Sequence, residues 1–226
     1  MITSPDTMVI LGGGIFFALL GLTRFALDLG FVQRPIFVAS LWALVTWQAQ
    51  PVLSIGIFFE LLWLDLFPAG TFIPPHSIFS LLATLTLLTC LPASDMRMVT
   101  LILICTTPLG YLGAWTEQWY RRRQNLSYNS LITWTRNRKP AYSSPEILTK
   151  LALTETFVLN LLLFFLCVLP LLFVLRNIHP WVENELQPTW PILWLIASLG
   201  ALLSLRIHKA YILAAITMIL GILLNL

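Results

Sequence analysis

Charged residues are scarce in this chain. Asp, Glu, Lys and Arg make up 10% of its 226 residues, where a soluble domain carries about 25%. So few charges cannot cover a globule of this size, which excludes an ordinary water-soluble domain. Cysteine is sparse as well. Cys90, Cys105 and Cys167 lie in or near apolar segments without metal-ligand spacing, so buried thiols are expected, not a zinc site or a disulfide framework. Catalytic signatures are missing too. There is no HExxH, no GxSxG and no phosphate loop with its lysine. The run Gly12-Gly13-Gly14 lacks the strand–turn–helix setting of a nucleotide site, and close helix packing is its expected use. No catalytic residue, metal or cofactor is expected.

What the chain has instead is apolar length. Hydrophobic residues make up 58% of it and the mean hydropathy is +0.85. Apolar segments fall near 8–29, 35–49, 51–67, 71–92, 98–116, 154–175, 189–205 and 210–226. A helix needs roughly 20 apolar residues to cross the bilayer core, which predicts an all-α polytopic membrane protein with about six to eight apolar segments. The expected layout is a single integral membrane domain over 1–226. Its first half covers about 8–116, a basic loop about 117–150 and a second half about 151–226.

The charges that remain are unevenly spread. The stretch 117–150 holds seven basic residues against two acidic ones, and Arg206-Ile207-His208-Lys209 is basic again. The 176–188 connection sets Arg176 against Glu183 and Glu185. The positive-inside tendency puts 117–150 and 206–209 in the cytoplasm and 176–188 outside. The basic loop is thus a topology signal, not a nucleic-acid surface. Its internal piece from Leu126 to Trp134 reads as a short amphipathic element at the interface.

The block from Ile36 to Phe67 would measure about 48 Å as one helix, against a hydrocarbon core of about 30 Å. Pro51 lacks an amide hydrogen, so a break is expected at Gln48-Ala49-Gln50-Pro51. Further breaks are expected at Phe67-Pro68-Ala69-Gly70 and at Ile73-Pro74-Pro75-His76. Short hydrophobic pieces interrupted by Pro or Gly have the pattern of a transporter's discontinuous, re-entrant helices. Interrupted backbone is tolerated at membrane depth only inside protein or beside water, so the broken region 48–76 is expected inside the bundle. The simpler alternative makes 68–76 an exposed turn between ordinary spans.

Two carboxylates stand in the most apolar part of that region, "IFFELLWLDLF". Glu60 lies several residues from either break, and an intramembrane ionisable group faces the bundle interior or a cavity. On a regular helix Trp63 and Phe67 share its face. A carboxylate beside aromatic rings suits a ring-shaped polar solute: hydroxyls bond the carboxylate and the rings cover C–H faces. The other reading is a packing role, with Glu60 bonded to a neighbouring helix. Asp65 falls about 140° further round and is expected near a helix end. Arg34, before Pro35, is expected at the headgroups or reaching towards Glu60. His76, after two prolines, is a candidate cavity lining. Arg24 and Asp28 can pair at the interface.

Taken together, Phe31-Val32-Gln33-Arg34-Pro35, Gly56-Ile57-Phe58-Phe59-Glu60 and Phe67-Pro68-Ala69-Gly70-Thr71-Phe72-Ile73-Pro74-Pro75-His76-Ser77 resemble the membrane IIC subunit of the mannose/fructose/sorbose family of bacterial phosphotransferase systems. The resemblance is concentrated in about 31–80. It implies a sugar-translocating permease subunit in the bacterial cytoplasmic (inner) membrane. Inverted repeats and re-entrant elements, an oligomeric assembly with a IID membrane subunit, and soluble IIA and IIB phosphocarrier partners are also implied. Glu60 matches the family's sugar-contacting glutamate, and Arg34, Trp63, Phe67 and His76 are the accompanying candidates for a hexose site. The family commonly has Gly where Asp65 stands and an acidic residue where His76 stands. The chain is also richer in Leu, Phe and Trp than that family, which leaves a non-transporting membrane scaffold or sensor as the alternative.

Overall fold

A computed structural model of the protein describes residues 4–26, 30–64, 73–91, 95–137, 145–178, 188–204 and 211–212. Among them there are seven helices and no strand: α1 (Ser4–Ala26), α2 (Pro35–Thr46), α3 (Val52–Leu62), α4 (Ser77–Cys90), α5 (Met96–Asn137), α6 (Pro145–Ile178) and α7 (Trp190–Ser204). Three contain windows long and apolar enough to cross a membrane, Asp6–Thr23, Met96–Asn125 and Thr149–Ile178. This marks the chain as a membrane protein. The expected eighth apolar segment, 210–226, lies almost wholly outside the described residues.

α4 is the core helix. Its side chains from Ile78 to Leu87 are all buried, and α1, α2, α3, α5 and α6 pack round it. A helix enclosed on every side must dispose of its polar groups internally. Thr84 does so by donating to the Ser80 carbonyl oxygen at 2.7 Å and pairing with the Thr106 hydroxyl of α5 at 2.6 Å. At the start of α4, Pro74 and Pro75 have no N–H to leave unpaired. The next backbone donor, His76 N–H, bonds the Gly110 carbonyl oxygen of α5 at 2.8 Å.

Small residues set how closely the helices approach. On α1, a Cβ at Gly13 would overlap Thr86 Oγ1, one at Gly14 would come within 3.1 Å of the Phe165 ring, and one at Gly21 would overlap Asn160 Nδ2. The expected packing use of the glycine run therefore holds at Gly13 and Gly14. At Gly12 a Cβ would meet nothing within 4 Å.

The expected break at Pro51 is present. α2 ends where Trp47 turns left-handed at φ 56°, a common helix stop, and α3 begins at Val52. α2 and α3 pack antiparallel as a hairpin, and a Cβ on Gly56 would come within 2.5 Å of Ala39 Cβ. At 1.5 Å per residue the arms are about 18 Å and 17 Å long, well short of the roughly 30 Å core. The region expected inside the bundle divides. Pro75 and His76 are buried, whereas the hairpin tip, Trp47 to Gln50, is exposed. The second break, at Phe67 to Gly70, lies outside the described residues.

The largest difference from expectation concerns 117–150. It is not a loop throughout: α5 continues as helix to Asn137 and α6 starts at Pro145. The reason is local. After Gly113 no Gly or Pro occurs before Pro140, and Arg121 bonds Glu117 one turn away at 2.6 Å, a spacing that supports helix. The segment from Leu126 to Trp134 is accordingly part of α5, not a separate element. Proline at the first position of α6 is preorganised for a helix start.

Candidate functional site

Among the described residues, two places bring candidate site residues together with other polar groups. The first is the open end of the α2–α3 hairpin. Antiparallel packing sets the last turn of α3 beside the first turn of α2. Arg34 Nη1 donates to Glu60 Oε1 at 3.0 Å, and the Ile36 N–H donates to Glu60 Oε2 at 3.3 Å. Arg34 is the N-cap residue of α2 and its side chain makes no capping bond. The carboxylate of a neighbouring helix does that work instead. Glu60 accepts one of the backbone donors that every helix start leaves over, where the helix dipole also favours negative charge. The side chains of Arg34 and Glu60 are 45% and 20% exposed, so the pair can be reached from outside the protein.

Trp63 does not join this pair. α3 stops at Leu62 and Trp63 becomes its C-cap, with φ −119°. The ring turns inward, stacks on Phe59 with centroids 5.4 Å apart, and lies where a Cβ on Gly110 of α5 would meet it at 2.9 Å. A shared face with Glu60 requires the helix to run through Trp63, and it ends at Leu62. Phe67 lies outside the described residues, as do Asp65, Asp28 and the side chain of Arg24.

The second place is a cavity of about 710 Å³ between α1, α5 and α6. His76 reaches it from the start of α4, packed edge-on to Phe17 at 5.2 Å and against Gly113. Thr116, Glu117, Tyr120 and Arg121 of α5 and Thr156 and Asn160 of α6 form a polar side. Leu162, Leu163, Leu166 and Leu169 continue along α6 as an apolar side. The Tyr120 hydroxyl donates to the Ala152 carbonyl oxygen at 2.7 Å, which joins α5 to α6 and sets the level of the polar side.

The candidates from the sequence are therefore split. Arg34 and Glu60 meet, Trp63 is core, and His76 lines a different cavity. Asn160, Thr156, Glu117 and Arg121 did not stand out in the sequence. Asn160 carried a signal: an amide in the middle of an apolar segment, one turn after Thr156 and hence on its face. Glu117 and Arg121 were hidden by their assignment to a loop.

Comparison with protein-family models, with curated proteins and with solved structures finds no match for this chain.

Proposed function

We propose that the chain is the membrane-embedded, sugar-translocating IIC subunit of a phosphoenolpyruvate-dependent phosphotransferase system of the mannose/fructose/sorbose family, working in a bacterial inner membrane. One observation carries the reading. Two half-length apolar helices form a hairpin, and the reachable carboxylate of Glu60 meets Arg34 and the start of α2 at its open end. Short helices whose ends converge on charged groups are the pattern of solute sites in transporters.

In this reading a hexose hydroxyl donates to Glu60 and another accepts from Arg34, so the sugar takes over bonds that otherwise hold the hairpin end together. The chain supplies the path and no catalytic residue. Phosphate reaches the sugar through the soluble IIA and IIB subunits, and a IID subunit completes the membrane assembly. Trp63 and His76, both buried, have no direct contact with the sugar and support the walls.

A second reading is favoured by the same geometry. Both oxygens of Glu60 already have partners, as expected of a residue kept for packing in a non-transporting scaffold or sensor. Sugar uptake separates the two, measured in cells carrying all four subunits. For a transporter, Glu60→Gln lowers uptake by about 30-fold, the loss of one charge-assisted hydrogen bond, while IID still co-purifies. Wild-type cells that assemble the complex but take up no hexose select the scaffold.

A further inference from the structure

We propose that the cavity between α1, α5 and α6 is a site for one anionic phospholipid, with one of its two acyl chains along α6 and the phosphate at Arg121. The proposal is independent of the transport reading.

The walls of the cavity are graded. Its stretch of α6, from Thr156 to Pro170, extends about 21 Å, somewhat more than the 15 Å or so that one leaflet contributes to the hydrocarbon core. Its two polar residues, Thr156 and Asn160, fall near one end of that length, and apolar ones continue to the other. The Tyr120–Ala152 bond holds Arg121 at the polar end. An amphiphile with a single polar head matches this division, and a wholly polar or wholly apolar ligand does not. The volume is in the range of pockets that enclose small organic ligands.

The surroundings favour lipid as the occupant. The Thr149–Ile178 window of α6 has a mean hydropathy of 2.9, yet only 22% of it is buried within the protein. Most of this helix is therefore left for hydrocarbon, and the cavity opens beside it.

Charge selects the head. Arg121, Arg122 and Arg123 follow one another in the sequence and all three are exposed. Glu117 takes Arg121 Nε at 3.0 Å and Nη2 at 2.6 Å, which fixes the guanidinium plane and leaves its Nη1 edge for a second anion. The Arg123 guanidinium lies over the Trp119 ring, 5.9 Å from its centroid, and Trp and Tyr prefer the headgroup level. Arg121 lines the cavity and Arg123 lies over Trp119, which lines it too; these two cations against Glu117 make the mouth net positive, and basic pockets between membrane helices bind anionic headgroups. Asn160, further along α6, offers its amide N–H to the ester carbonyls.

The test reconstitutes the full chain with equal amounts of phosphatidylglycerol and phosphatidylcholine, exchanges it into detergent, and counts retained lipid by mass spectrometry. The wild type is expected to keep about one phosphatidylglycerol per chain, in preference to phosphatidylcholine. Arg121→Gln lowers phosphatidylglycerol retention by about fivefold, the effect of one cationic side chain near a lipid surface, and leaves phosphatidylcholine unchanged. Leu166→Trp fills the apolar end and removes both. If Arg121→Gln aggregates, wild-type preference and Leu166→Trp decide alone. Equal retention of the two lipids overturns the proposal, and so does a monodisperse wild type that keeps none. A cysteine at Leu166 that cross-links to a partner protein helix in native membranes, and not to a photoreactive acyl chain, overturns it as well.

Discussion

Asp6 and Arg176, 170 positions apart, meet at 2.6 Å and join the first turn of α1 to the last turn of α6. Their side chains are 13% and 29% exposed, and the same Arg176 nitrogen also lies 3.4 Å from the Cys90 carbonyl oxygen at the end of α4. One guanidinium thus gathers three helix ends. Each charge also sits at the helix terminus whose dipole favours it. Asp6→Asn is expected to lower stability by about 2 kcal/mol, the size of a charge-assisted hydrogen bond, read as a lower midpoint of thermal unfolding in detergent. Exchanging the pair, Asp6→Arg with Arg176→Asp, restores the attraction but sets both charges against their dipoles. Recovery of full stability by the exchange would refute the dipole part of this account.

The glycines of α1 give a graded series. Gly21→Ala and Gly13→Ala put a methyl group where Asn160 and Thr86 already stand, and overpacking of this kind costs about 1–3 kcal/mol. Gly12→Ala meets nothing and gains up to about 1 kcal/mol from helix propensity. Unfolding midpoints should fall for the first two and hold or rise for the third. Equal losses at all three would mean that α1 and α6 do not pack as described.

The hydroxyl pair Thr84–Thr106 invites a double-mutant cycle. Its 2.6 Å separation in a fully buried setting looks strong, yet polar contacts between membrane helices average only about 0.6 kcal/mol. Each hydroxyl has a single proton, for which a carbonyl of its own helix competes with the pair, that of Ser80 at Thr84 and that of Ile102 at Thr106. The coupling energy between Thr84→Ala and Thr106→Ala is therefore expected below about 1 kcal/mol. A value several times larger would show that this pair alone holds α4 to α5.

Helix existence was legible in the sequence because its signals are local. Apolar runs of 15 or so residues and the absent amide of Pro51 predict the described helices and the α2–α3 break without tertiary information. The partner of Glu60 was half legible: Arg34 could be named as within reach, but the capped N–H of Ile36 depends on how α2 docks against α3. Trp63 misled because its assignment to the face of Glu60 assumed a helix one residue longer than α3 is. The end of α5 misled for the opposite reason. Polarity was read as loop, although nothing between Gly113 and Pro140 stops a helix. The α5–α6 cavity could not be read at all, since Arg121, Asn160 and His76 come together only once three helices have packed.

The unbroken length of α5 has a consequence for anything that approaches it. Forty-two residues make a rod of about 63 Å, of which the hydrocarbon takes up about 30 Å. The turns from Arg121 to Asn137 cover about 24 Å, so a helix with Arg121 at the headgroups runs on beyond them as a stiff mast. Its foot and its tip are about three screening lengths apart, at about 8 Å each in physiological salt. Each therefore acts on its own neighbourhood. A soluble visitor would feel charge at the one without feeling it at the other.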